Sequence, residues 1–243
     1  CTGDRRLTQD LIGVGRAAVG GGLSADVDGG AFAQAFKVSM LVWPEEEGKN
    51  YQLVSSDALK ISIDLGHVSV VLRDSAAECK CEPCSDVREF SSSVPAVSGR
   101  WSRLEVAYDG KRISVYLNGN EMDYADFETE SFPGSNSPTR LELFSNFKGY
   151  VNALRIDKGV ASGQEKYVCP LEPSEASTVH FFDFDFPFSG SEIPDLADED
   201  VVLHNPGNEA APTPVVSAQP ETSLLSVSGD LQTISGQEAC FRV

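Results

Sequence analysis

Apolar and polar residues alternate along most of this chain with a period of two, the spacing of a strand that keeps one face dry and the other wet. The clearest stretch is WSRLEVAYDGKRISVYLNG, from Trp101 to Gly119. Leu104, Val106 and Tyr108 alternate with polar residues, and Ile113, Val115 and Leu117 do so again. Asp109-Gly110 stands between the two runs and Asn118-Gly119 follows the second. Both dipeptides tolerate the positive φ angles of a two-residue hairpin loop, so the pattern predicts a three-strand meander. After a Gly/Ser/Pro loop, RLELF and GYVNALRIDKG predict two more strands.

Upstream, AFKVSMLVW alternates Phe36, Val38, Met40 and Val42, which predicts a half-buried strand ended by Pro44 and the solvated run Glu45-Glu46-Glu47. YQLVSS, ALKISIDL and HVSVVLR give three strands more, with Gly66 easing the turn from Asp64 to His67. VREFSSS is a short strand candidate. Downstream, GVASGQEKYVCPLEPSEAS has no sustained period and reads as an extended excursion tacked down by Cys169. STVHFFDFDF predicts a strand that buries alternate residues among Val179, Phe182 and Phe184. A buried Phe contributes about 1.5–3 kcal/mol, so this strand is expected to pair within the same chain's sandwich. EIPDLADEDVVLHN follows as a loop and short strand. Residues 1–20 read as an N-terminal arm, and 206–243 as a Pro-rich linker and C-terminal extension whose end Cys240 can tether.

Trp101, Val106, Tyr108-Asp109-Gly110, Val115-Tyr116-Leu117-Asn118-Gly119, Gly149 and VNALRI together resemble a LamG-like jelly roll of the concanavalin A-like lectin/glucanase superfamily. The resemblance covers roughly residues 20–205 and is most specific over 101–160. It implies an all-β, antiparallel jelly-roll β-sandwich over 21–205, with GGGLSADVDGGAFAQ as its entry strand and Trp101 in its core. It also implies calcium near the meeting of the terminal strands, since the family often carries an acid at the position of Asn152. Asn152 shares the parity of Leu154 and Ile156, which points it inward. Asp183, Asp185 and Asp195 supply further hard oxygens, so these four residues are the metal candidates. The resemblance sets the STVHFFDFDF strand beside VNALRI, within reach of Asn152.

Charge narrows the partners. With 37 acidic against 19 basic residues and a net charge of −18, the chain repels nucleic-acid backbones and anionic membranes. No apolar run approaches a membrane span. The cysteines stand at 1, 79, 81, 84, 169 and 240 and favour an oxidising compartment. Cys79, Cys81 and Cys84 include the Cys-X2-Cys spacing of a zinc site but lack a fourth ligand, so disulfides are the use expected. Three cysteines so close cannot all pair among themselves, and at least one must reach Cys1, Cys169 or Cys240. A chain beginning Cys1-Thr2-Gly3 also suits a lipidated cysteine, the one route to a membrane.

The strongest catalytic motif is Glu121-X-Asp123-X-X-Asp126. Laminarinase-type glucanases use Glu-X-Asp-X-X-Glu on one strand, and here the second Glu is Asp. No phosphate loop, His-Glu-X-X-His or Gly-X-Ser-X-Gly accompanies it, and no catalytic residue is assigned. Sugars stack on exposed aromatic faces, which makes Trp43, Tyr51 and Tyr124 the carbohydrate or partner candidates. The function expected is therefore a non-catalytic extracellular or cell-surface recognition and adhesion module that binds glycan or protein. The alternatives are a structural subunit of a surface filament, self-assembling through its terminal arms, and then a glycoside hydrolase.

Overall fold

The computed structural model describes residues 22–73, 87–95, 102–128, 130–134, 137–159, 167–168, 171, 173–174, 176–184, 192–204 and 241–242. Two antiparallel sheets stack face to face as a jelly-roll β-sandwich. The eight-stranded sheet runs β14 (Glu192–Pro194), β15 (Val202–His204), β1 (Leu23–Asp28), β10 (Pro138–Leu143), β3 (Tyr51–Ser55), β4 (Leu59–Asp64), β5 (His67–Arg73), β6 (Val87–Pro95). The six-stranded sheet runs β13 (Thr178–Asp183), β11 (Gly149–Lys158), β2 (Phe36–Pro44), β7 (Ser102–Tyr108), β8 (Arg112–Leu117), β9 (Asn120–Asp126). A small two-stranded ladder joins β12 (Tyr167–Val168) to β16 (Phe241–Arg242), so the predicted C-terminal extension pairs back onto the chain at its end.

The alternation read from the sequence fills the space between the sheets. Phe36, Val38, Met40 and Val42 of β2 meet Leu104, Val106 and Tyr108 of β7 and Ile113 and Val115 of β8 in one core. Aromatic rings run through it edge-on: Phe32 to Phe36 at 5.3 Å, Phe36 to Tyr108 at 5.8 Å, and Tyr108 to Phe127 at 6.4 Å. Such tilted contacts place ring edges on ring faces and add about 0.5–1.5 kcal/mol each beyond burial. The late strand completes this sandwich from within the same chain: β13 pairs with β11, Leu154 against Phe182 and Ile156 against His180. Phe182 and Phe184 are fully buried and Val179 packs against the core, as the apolar pattern required.

Three details depart from the sequence pattern. β2 is buried along its whole length instead of on one face, because its outer residues are covered as well. Asn152 sits at a bulge: Val151 faces Val42 and Ala153 faces Leu41, so Asn152 is the extra residue and the parity argument that aimed it inward with Leu154 fails there. The turn after β7 is centred one residue late, with the Asp109 carboxylate accepting from the amides of Lys111 and Arg112 at 2.8 and 2.6 Å.

Both sides of the sandwich are closed by a carboxylate. Asp123 of β9 accepts from the Ser93 amide and hydroxyl of β6 at 2.6 and 2.7 Å, joining the two sheets' edges. At the other side Asp195, just after β14, accepts from His180 Nδ1 at 2.7 Å and from the Phe181 amide at 2.8 Å. The Leu196 amide donates to the Phe181 carbonyl at 2.8 Å. Edge strands expose unpaired backbone groups that template aggregation, and these contacts occupy part of that edge.

The β4–β5 loop yields a test. Asp64 pairs with His67, leaving Leu65 and Gly66 as a two-residue loop with φ of 50° and 87°. Leu65 is 74% exposed and packs little, yet holds a left-handed backbone that Asn adopts more readily. Leu65→Asn should raise the unfolding free energy by about 0.5–1 kcal/mol, read as a higher urea midpoint at unchanged slope. A lower midpoint would contradict this account of the turn.

Candidate functional site

The outward face of the six-stranded sheet carries a dense set of polar side chains among the described residues, and it divides into a covered and an open half. The register sets the covered half. Ser39 of β2 lies between Glu105 of β7 and Arg155 of β11, Lys37 between Ala107 and Asp157, and Leu41 between Arg103 and Ala153. Glu105 accepts from the Ser39 hydroxyl at 3.1 Å and faces Arg103 at 3.2 Å and Lys37 at 3.8 Å. Asp157 accepts from Arg155 Nε at 2.9 Å and from the Thr178 hydroxyl at 2.7 Å. All five ionic side chains are buried. Burial outweighs the attraction of Glu105, which acts in the opposite direction, and pulls the Lys37 ammonium below its ordinary pKa. Beside this ionic ladder lies a second apolar cluster of Leu41, Trp43, Ala153, Leu171 and Phe181.

The open half is built on β8 and β9. The Asn118-Gly119 loop, with φ of 53° and 77°, closes the hairpin with Leu117 opposite Asn120. A bulge then shifts the register by one, with Met122 as the extra residue, so Glu121 faces Tyr116 while Asp123 faces Val115. Tyr116 points outward and Val115 into the core, so Glu121 and Asp123 leave β9 on opposite faces. Beyond the bulge Tyr124 lies opposite Ser114 and Asp126 opposite Arg112, both on the outward face with Glu121. The Arg112 guanidinium sits 3.6 Å from the centre of the Tyr124 ring. It also bridges Glu121 at 3.3 Å and Asp126 at 3.9 Å. The Ser114 hydroxyl, ahead of Arg112, holds the Glu121 carboxyl below the usual carboxylate range. Tyr124 remains 50% exposed. The result is an exposed cation–aromatic pair flanked by two carboxyl groups, able to stack on an apolar ring face while donating to and accepting from hydroxyls around it.

The predicted site residues separate accordingly. Of the three aromatic candidates only Tyr124 is on the surface. Trp43 is 8% exposed within the second apolar cluster, and Tyr51 is 4% exposed, edge-on to Phe147 at 5.2 Å with its hydroxyl on the Glu46 carbonyl. Neither presents a ring face to a ligand: Trp43 lies on a strand whose outer side is covered, and Tyr51 faces the core. Among the metal candidates, Asp195 has its oxygens engaged by His180, Phe181 and Ala197, so it acts as a clasp and does not fit a calcium ligand. Asp183 pairs opposite Ala153, and the Asn152 carbonyl accepts from the Phe184 amide at 2.8 Å, so β13 does lie beside VNALRI as the resemblance implied. Among the described residues no group of three or more His, Cys, Asp or Glu is placed to hold a metal ion. Asp185, Trp101 and all six cysteines lie outside the described residues. Arg112 was missed by the sequence reading. Its flanking Asp109-Gly110 turn marks it only as a strand start, and its contacts depend on the β9 bulge.

No family model and no curated protein sequence matches the chain. Solved structures do. A Bacteroides ovatus protein provisionally described as carbohydrate-binding superposes with a TM-score of 0.57 at 14% identity over 81% of this chain. This chain spans 59% of that one, less than two thirds of its length. The heptameric SAP-like pentraxin of Limulus polyphemus gives 0.48 at 12% identity, over 84% of this chain and 100% of that one. The receptor-binding domain of a botulinum neurotoxin mosaic serotype C/D gives 0.42 at 11% identity, over 63% and 43%. The first of these shows that the sandwich fold is shared.

The ionic ladder can be tested by removing its shared anion. Glu105→Gln leaves Arg103 and Lys37 facing each other in a buried site and should cost about 3–5 kcal/mol in chemical denaturation. Lys37→Met removes the more distant cation while the Arg103–Glu105 pair persists, so its effect should stay within about 1 kcal/mol. Equal losses from the two variants would contradict the assignment of Glu105 as the centre.

Proposed function

We propose that this chain is a non-catalytic extracellular recognition module of the LamG-like kind, and that it binds neutral glycan on the open β8–β9 face. The observation that carries the reading is the Arg112–Tyr124 contact at 3.6 Å, with Arg112 bridged to Glu121 and Asp126 and Tyr124 50% exposed. A sugar ring offers apolar C–H faces to such a platform and hydroxyls to its carboxylates and guanidinium. Neutral sugars are favoured over acidic ones because two carboxylates border the stack and the chain's net charge is −18. The likeness to a protein provisionally described as carbohydrate-binding agrees with this reading.

Hydrolysis is disfavoured by the engagement of the carboxyls. A glycosidase needs one carboxyl kept as a proton donor, and although Glu121 and Asp126 share the outward face, both bridge Arg112, with the Ser114 hydroxyl, ahead of Arg112, holding Glu121 below the usual range. The Asp123 carboxyl is instead spent on Ser93, whose amide first and hydroxyl second hold it below the usual range.

The test is a titration of neutral and acidic oligosaccharides against the full chain and a Tyr124→Ala variant. The proposal expects saturable binding of at least one neutral glycan, weakened about tenfold or more by Tyr124→Ala, equivalent to about 1.4 kcal/mol. It expects no release of reducing ends, with or without Glu121→Gln. Because Tyr124 is half exposed and loses chiefly its contact with Arg112, the variant should melt within about 4 °C of the parent. Unchanged affinity in Tyr124→Ala, or preference for acidic glycans alone, would overturn the site.

A further inference from the structure

The two carboxylates beside Arg112 are occupied unequally. Glu121 accepts from Arg112 Nη2 on both of its oxygens, at 3.3 and 3.4 Å. The Ser114 and Tyr116 hydroxyls also donate to it, and Ser114 in turn accepts from Arg112 Nε at 3.3 Å. An ionised carboxylate offers about four lone-pair sites, so these contacts leave Glu121 little capacity for a ligand. The Asp126 side chain is 64% exposed, and among the described residues its carboxylate approaches only Arg112 Nη1, at 3.9 Å.

That separation is too long for a hydrogen bond, yet it fits a single oxygen set between the two groups. A hydroxyl about 2.7 Å from the carboxylate and about 2.9 Å from the nitrogen closes a triangle on the 3.9 Å base, with roughly 90° at its own oxygen. It donates its proton to Asp126 and accepts one from Arg112. An ether oxygen has no proton to give, and a methylene can do neither. The guanidinium carbon lies 3.6 Å from the Tyr124 ring centre, so the gap opens beside the aromatic surface. Resting on the reading of this face as a neutral-glycan site, we infer that the Arg112–Asp126 gap recognises one free sugar hydroxyl, and that Glu121 is a positioning residue that holds Arg112 there.

The ligand class narrows accordingly. The hydroxyl in the gap must be unsubstituted, so a methyl ether, an acyl ester or a glycosidic linkage at that position is excluded. A polysaccharide binds only where its linkages leave that hydroxyl free. Tyr124 supplies stacking that any apolar sugar face satisfies, and Asp126 supplies the selection among sugars.

The experiment titrates the full chain with disaccharides of glucose, galactose and mannose, as methyl glycosides, and with their monodeoxy and mono-O-methyl derivatives. Wild type is compared with Tyr124→Ala, Asp126→Ala and Glu121→Gln. The expected result is one position at which removing or methylating the hydroxyl weakens wild-type binding about tenfold. Asp126→Ala should weaken the parent sugar by a similar factor and bind the deoxy sugar within about twofold of the parent. Without ligand, the Arg112 side-chain protons should show an upfield ring-current shift that Tyr124→Ala abolishes, Glu121→Gln reduces and Asp126→Ala leaves in place. Binding that depends on Tyr124 but is unchanged in Asp126→Ala, or a deoxy penalty equal in wild type and Asp126→Ala, would overturn the hydroxyl assignment and leave the glycan reading standing. A ring-current shift indifferent to Glu121→Gln would overturn the positioning role. No binding by wild type, or binding indifferent to Tyr124→Ala, brings down the glycan reading itself and the hydroxyl assignment with it.

Discussion

Glu105 accepts from Ser39 and faces Arg103 and Lys37 on a sheet face where all of these side chains are buried. A buried carboxylate is costly unless its neighbours answer both its charge and its lone pairs. Those neighbours come from β2 and β7, and the same face continues through Arg155 and Asp157 on β11. The strands at the centre of the six-stranded sheet are thereby held in one register by charge on one side and by the apolar core on the other. A one-residue slip would move every charge into the core and every core residue out. This two-sided requirement explains why β2 is buried throughout, although its sequence alternates like a strand with a wet face.

Much of the architecture was legible because its determinants are local. The alternation of Leu104, Val106, Tyr108, Ile113, Val115 and Leu117, and the Asn118-Gly119 loop, place three strands and one turn without tertiary knowledge. The late Phe-rich strand was legible by area: Phe182 and Phe184 carry too much apolar surface to stay in water, and β13 duly pairs with β11. The bulges were not legible. Met122 and Asn152 look like ordinary members of alternating strands, and nothing near them announces an inserted residue. Each bulge reverses parity beyond it, which removes the parity argument for Asn152 and brings Asp126 to the face of Glu121 while Asp123 leaves on the other.

The candidate site was less legible than the fold for the same reason. Choosing among Trp43, Tyr51 and Tyr124 requires knowing which sheet faces are covered, a property of the whole assembly of strands. Trp43 ends a strand before Pro44 and resembles a surface platform in sequence, yet Leu171 and Phe181 pack against it from elsewhere in the chain. Arg112 gains two of its partners through the β9 bulge, which brings Tyr124 and Asp126 to the face it occupies. The closing carboxylates, Asp123 and Asp195, likewise resembled chemistry in the sequence and serve in the structure to fasten sheet edges.

The central claim is that one face of the six-stranded sheet is sealed over β2 and β11 and open over β8 and β9, so that recognition is confined to the Arg112–Tyr124 platform. Hydroxyl-radical footprinting of the native chain reads this directly, because aromatic oxidation tracks access to solvent. The account predicts rapid modification of Tyr124, with Trp43 and Tyr51 protected until the protein is denatured. Oxidation of Trp43 in the native state as fast as that of Tyr124 would contradict it.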